Sequence, residues 1–168
     1  MSKNNPILQV KDLTVSFNAF AGKVQAVRGV SFDLNKGETL CIVGESGSGK
    51  SVTNKAIMGI LSKNAVIDRG EILYDGMDLT KLTEEQFCQI RGKRIAMVFQ
   101  DPLSALNPIM KVGKQITETL CVHQKLSHEQ AKKRALELMA AVGIPEPEKR
   151  FNQYPFQFSG GMRQRIVI

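Results

Sequence analysis

The sequence predicts an α/β fold, and three observations predict it. An apolar run at residues 39–43 leads into a glycine-rich loop and then a helix-forming stretch at 50–61. Ahead of it, residues 7–17 and 24–34 place apolar side chains at nearly every second position, as half-buried strands do. Behind it, two capping boxes open helices. Composition agrees: of 168 residues, 42% are apolar and 23% charged, which excludes fibrous and disordered classes. A chain of this length buries roughly two-thirds of its unfolded surface and needs no staple. Cys41, Cys88 and Cys121 are odd in number and include no Cys-x-x-Cys pair, against a disulfide framework or a zinc site. They suit a reducing cytosol. The apolar runs fall far short of the about 18 residues a spanning helix needs, and the first residues form no apolar signal core.

Taken in order, residues 7–17 read as a strand with one slip in its alternation, the mark of a bulge. Residues 24–34 read as a second strand, closed by the turn Asn35-Lys36-Gly37. The run Leu40-Cys41-Ile42-Val43 lacks polar alternation, which predicts a strand covered on both faces, with Cys41 a small core side chain. Residues 71–74 and 77–79 flank Asp75-Gly76, a two-residue hairpin signal. Thr83 with Gln86 opens a short helix, and 95–99 is a second candidate for a buried strand. Prolines at 102 and 108 break regular structure. Ser127 with Gln130 opens a helix whose apolar stripe is Ala131, Ala135, Leu138, Met139 and Val142, ending at Gly143.

The charge is uneven. Residues 1–84 carry 10 basic and 9 acidic side chains, residues 85–168 carry 13 and 7. A basic half invites an anionic partner, whether nucleic acid, membrane surface or nucleotide phosphate. Lys132-Lys133-Arg134 falls mostly off the apolar stripe and reads as a solvent-facing run, with nucleic-acid contact the lesser option. His123 and His128 have no metal-ligand spacing and read as surface residues.

Gly44-Glu45-Ser46-Gly47-Ser48-Gly49-Lys50-Ser51 matches the P-loop pattern in its strand-to-helix context. Composition alone produces that pattern at about 4 in 100,000 positions, so a chance glycine turn is a poor account. Its glycines let main-chain N–H groups curl around phosphate, and the following helix presents its positive end. Lys50 is a point charge for the β- and γ-phosphates of a nucleotide, and Ser51 offers a hard oxygen to Mg²⁺. Further on, Ser159-Gly160-Gly161 precedes a helix-like stretch and reads by itself as a capped helix start.

In combination these motifs closely resemble the ATP-binding cassette (ABC) ATPases. GESGSGKS resembles their Walker A loop, Gln100 in VFQDP their Q-loop, and FSGGMRQR their signature. The resemblance runs from about residue 7 to 168, and GESGSGKSV, FQDPLSALNP and YPFQFSGGMRQR look most like the ATPase subunits of dipeptide and oligopeptide importers, with nickel importers close behind. It implies an N-terminal antiparallel β subdomain with P-loop core over about 1–80, a core helix and Q-loop strand over about 81–100, and a helical signature subdomain over about 101–168. The core would be RecA-like and incomplete.

For the site, the resemblance implies that residues 44–52 bind ATP, with Val52 offering only its backbone N–H where a threonine is frequent. Lys50 and Gln100 would act in catalysis, and Ser51 and Gln100 would hold Mg²⁺. Phe17 would stack on adenine, with Phe20 its rival and a core role the plain alternative. Ser159, Gly160, Gly161 and Met162 would complete the γ-phosphate site of a second ATPase subunit, head to tail. Two membrane permease subunits and an extracellular solute-binding protein would be the other partners, placing the chain at the cytoplasmic membrane face, with no nucleic acid. The resemblance favours a heterodimer for this pair, with a homodimer the alternative. Walker B, D-loop and switch histidine are not matched within 1–168, so a fragment that binds nucleotide without turnover is the alternative, and a DNA-linked cassette ATPase a lesser one.

Overall fold

The computed structural model describes residues 6–20 and 22–168 and divides into two compact units, one ending at Arg91 and the other starting at Gly92. The first is built on a four-stranded antiparallel sheet of order β2-β1-β3-β4. Strand β1 (Leu8–Ala19) pairs with β2 (Gly22–Leu34) and β3 (Ala65–Tyr74), and β4 (Met77–Asp78) closes on β3 around Asp75-Gly76. The slip in the alternation of β1 is a bulge. Register shifts on both its edges between Val10 and Val15, and Asp12 takes φ +48°. Opposite it Gly70 sits at φ +105°, where a Cβ would lie 2.6 Å from the Lys11 and Asp12 carbonyl oxygens. Arg69 Nε holds the Asp12 carboxylate at 2.9 Å beside this kink.

Val10, Leu13, Val15, Val27 and Ile72 bury completely or nearly so, each contributing about 1.5–3 kcal/mol by transfer from water. Helix α1 (Lys50–Ile57) turns Thr53, Ala56 and Ile57 inward, ending at Met58 and Gly59, earlier than the expected 61. Helix α2 (Glu84–Ile90) starts on the expected Thr83–Gln86 capping box and buries Phe87 and Ile90. Arg91 ties these helices together. Its Nε and Nη2 donate to the Met58 and Gly59 carbonyls at 2.8 and 3.0 Å, and Nη1 meets Glu84 at 2.6 Å.

The second unit is helical. It comprises α3 (Pro102–Ala105), α4 (Val112–Gln124), α5 (His128–Ala141), α6 (Pro147–Arg150) and α7 (Gly160–Val167). The α5 stripe buries Ala131, Ala135 and Met139 as expected, and Lys132, Lys133 and Arg134 face solvent. Helix α4 was not anticipated, although Val112, Ile116 and Leu120 carry its period. Val112, Met139, Ile144 and Phe158 form one core cluster, and Gly113 lets the Phe151 ring approach where a Cβ would stand 2.4 Å from it.

Several expectations need correction. Residues 39–43 form no strand, and Leu40, Ile42 and Val43 are 41, 40 and 83% exposed. Residues 96–99 are likewise outside any strand, with Val98 and Phe99 exposed. Neither run finds a ladder partner among the described residues, and an extended segment without one has nothing to satisfy its backbone groups except water. No parallel ladder forms among the described residues, and Cys41 is exposed rather than a core side chain. Strand β3 starts six residues before the expected 71, across Asp68-Arg69-Gly70, because the bulge on β1 accommodates those polar and glycine positions.

Candidate nucleotide-binding site

The loop 44–49 bends back on itself between an extended segment and α1. Gly49 is the helix N-cap at φ +91°, a left-handed conformation open to glycine. A second constraint lies underneath, since a Cβ there would stand 2.6 Å from the Ala26 carbonyl oxygen of β2. Gly44 is closed from the other side by Ser48 Oγ, 2.7 Å from where its Cβ would be. Gly47, at φ +82°, has open space around it.

The Lys50 ammonium lies over this loop. It donates to the Gly44 carbonyl at 2.7 Å, the Glu45 carbonyl at 2.6 Å and Ser48 Oγ at 3.2 Å. An ammonium has three donors, so the loop's own oxygens satisfy it completely. Thr53 N–H and Oγ1 both donate to the Gly49 carbonyl, which consumes the Thr53 hydroxyl within the helix. The amides of Lys50, Ser51 and Val52 find no protein acceptor among the described residues, and no acidic side chain occupies the first turn. This is the positive end of a helix dipole with unpaired N–H groups, an anion site by construction. The Ser51 side chain is exposed in that turn and Val52 is half-buried. Glu45, Ser46 and Ser48 are exposed.

Phe17 is half-buried at the end of β1, paired in register with Val24 and Ala65, whereas Phe20 is fully exposed. Beside Phe17, Asp68 accepts from Lys23 and Ser16, and the Lys23 contact first, then Ser16, hold its carboxyl below the ordinary range.

The remaining sequence candidates lie in the other unit. Gln100 is exposed in a bend rather than at the end of a strand. Ser159 is the N-cap of α7, its Oγ accepting from Met162 N–H at 3.3 Å, and its carbonyl accepts from Arg163 N–H at 2.9 Å. A Cβ on Gly160 or Gly161 would meet nothing within 4 Å, so this side of the turn is open to approach. The Met162 side chain turns away, against the Val112–Phe158 cluster. Phe158, 2% exposed, anchors the segment ahead of the turn.

Sequence reasoning assigned no role to Arg165. Its Nη1 donates to the Gly143 and Val142 carbonyls at 2.7 and 3.2 Å, and its Nε to the Gly161 carbonyl at 3.4 Å. Its acceptors lie up to 23 residues away, so no local pattern announces it. His123 packs across Gly92 and His128 is exposed, and no metal-holding group of three or more His, Cys, Asp or Glu exists among the described residues.

The antiparallel sheet, and the glycine loop that opens helix α1, are consistent with an incomplete P-loop fold of the ABC type. The chain belongs to the ABC transporter family, whose sequence profile matches residues 27–168. It is 61% identical to the oligopeptide transport ATP-binding protein OppD of Bacillus subtilis, over 96% of this chain and 46% of that protein. It is 58% identical to the dipeptide transport ATP-binding protein DppD of Lactococcus lactis, over 96% of this chain and 47% of the relative. The chain therefore spans about half the length of these relatives. Among solved structures, a dimeric bacterial ABC transporter cassette superimposes with TM-score 0.83 at 28% identity, covering 96% of this chain and 67% of that one. The post-hydrolysis state of an ATP-binding cassette bound to ADP and Pi gives TM-score 0.82 at 27% identity, covering 95% and 66%.

Proposed function

We propose that this chain is the nucleotide-binding portion of the ATP-hydrolysing subunit of a peptide importer. The observation that carries the reading is the Lys50 ammonium saturated by three loop oxygens above a ring of unpaired amides. Those oxygens occupy the donors that phosphate oxygens would take. On binding ATP, the ammonium would exchange them for β- and γ-phosphate oxygens, while the unpaired amides of Lys50, Ser51 and Val52 would donate to the remaining phosphate oxygens. Mg²⁺, bound through the Ser51 hydroxyl, would neutralise charge between the phosphates. Phe17 would stack on adenine, and by family resemblance the Gln100 amide is the group that would serve the attacking water and Mg²⁺. The openness of Gly160 and Gly161 and the positive end of α7 support a role for Ser159, Gly160, Gly161 and Met162 on the γ-phosphate of a second ATPase subunit.

The names of the relatives support peptide transport. Two permease subunits, an extracellular binding protein and a place at the cytoplasmic membrane face are what the family resemblance implies for such a subunit. No helix among the described residues is long and apolar enough to cross a membrane, which fits attachment through permeases. Titration with MgATP tests the site: Lys50→Ala is expected to lose binding by a factor of about 100 or more, since charged hydrogen bonds are each worth about 1.5–3 kcal/mol. Unchanged affinity in that variant would show that the nucleotide binds elsewhere.

A further inference from the structure

Helix α7 carries the Ser159–Gly161 turn, yet it is short and buries no residue completely. Its hydrophobic hold is partial: Met162 and Ile166 sit at the edge of a cluster, and Val167 is half-buried. What orients its first turn is polar. We propose that Arg165 is a positioning residue that sets the Ser159–Gly161 turn by tying the start of α7 to the C-terminal end of α5. This rests on the reading that the turn acts on the nucleotide of a second subunit.

The geometry is specific to a guanidinium. One nitrogen, Nη1, serves two carbonyls that close α5, those of Val142 and Gly143, while Nε on the same rigid plane reaches Gly161 in the turn itself. A planar fork with fixed donor directions can couple two sites in this way, and the single flexible ammonium of lysine cannot. Helix α5 has no basic residue in its own last turn, so the negative end of its dipole is met by Arg165 from another helix. Gly143 is shaped for the same contact. It sits at φ +70°, and a Cβ there would stand 2.8 Å from Arg165 Nη1. Both ends of the tie therefore depend on the guanidinium: the α5 terminus leaves room for it, and the turn leans on it.

The test uses the assembled transporter containing this subunit, reconstituted in lipid vesicles, with Arg165→Gln, Arg165→Lys, Gly143→Ala and Ser159→Ala. Amide exchange is read at Met162 and Arg163, and steady-state hydrolysis at varied MgATP. Arg165→Gln should speed exchange of those two amides about tenfold, while β1 amides keep wild-type protection. It should lower kcat about tenfold through misplacement of the turn. KM for MgATP should stay within about twofold, because the P-loop contacts are untouched. Arg165→Lys should fall between wild type and Arg165→Gln, and Gly143→Ala, whose Cβ the end of Arg165 must give way to, should speed exchange at Met162 and Arg163 in the same direction by less. Wild-type exchange at Met162 and Arg163 in Arg165→Gln overturns the tie. Normal kcat in Arg165→Gln alongside lost turnover in Ser159→Ala overturns the inference alone. Normal turnover in Ser159→Ala overturns the reading of the turn on which it rests.

Discussion

Two glycines of the phosphate loop look alike in the sequence and differ in the structure. Gly47 and Gly49 both adopt positive φ, at +82° and +91°. Gly47 is open, whereas a Cβ on Gly49 would press on the Ala26 carbonyl. Gly47→Ala is therefore expected to cost backbone strain only, about 1–2 kcal/mol. Gly49→Ala adds a clash against backbone that cannot swing aside, so it should cost more and also tilt α1 away from its anion-binding direction. Urea unfolding combined with MgATP titration separates the two: the Gly49 variant loses stability and affinity together, and equal behaviour of both variants would refute the packing argument. The motif itself was legible because glycine, lysine and serine types at fixed spacing report phosphate chemistry. That Gly49 is also a packing residue was not, since Ala26 is 23 residues distant and nothing in its identity marks the approach.

Helix starts were legible because their chemistry is local. Ser127 and Thr83 each accept from the amide three residues on, and Gln130 and Gln86 reach back to the cap amides. Replacing either cap by alanine is expected to cost about 1 kcal/mol, visible as a lower urea midpoint. Helix α2 also has an acid-sensitive clamp. Arg91 hydrogen bonds, against some desolvation, hold the Glu84 carboxyl below its ordinary range. A depressed carboxyl stabilises the fold fully above the ordinary glutamate value of about pH 4.3, and loses that contribution as pH falls through the folded value. Glu84 is 71% exposed, so screening keeps the effect small. Glu84→Gln should lower stability slightly near neutrality, where the ionised carboxylate contributes, and converge on wild type as pH falls below about 4.3, which flattens part of the acid limb, as measured by urea midpoints across pH. Strand identity was less legible. The apolar runs at 39–43 and 95–99 carry strand composition, yet among the described residues only Ile95 meets another backbone, through Gly92 N–H, and a strand exists only when another backbone supplies its ladder.

At the scale of the molecule, each unit rests on its own core, Leu13 and Ile72 in the first and Val112 and Met139 in the second. Leu13→Ala and Met139→Ala should each cost about 2–5 kcal/mol. Residue-resolved amide exchange is expected to place the loss chiefly in the unit that holds the substitution, and uniform loss across both would argue against separate cores. By itself the sequence determined the phosphate loop, the capped helices, the Ser-Gly-Gly turn and the family, because these depend on residue type at short, fixed spacing. Folding in three dimensions settled that β3 begins at Ala65, that α4 forms, that 39–43 and 96–99 lie outside any strand, and that Arg165 clasps the carbonyls of Val142 and Gly143. Those outcomes turn on which backbone groups meet across long separations in the chain, and residue identity does not encode a meeting that packing has to bring about.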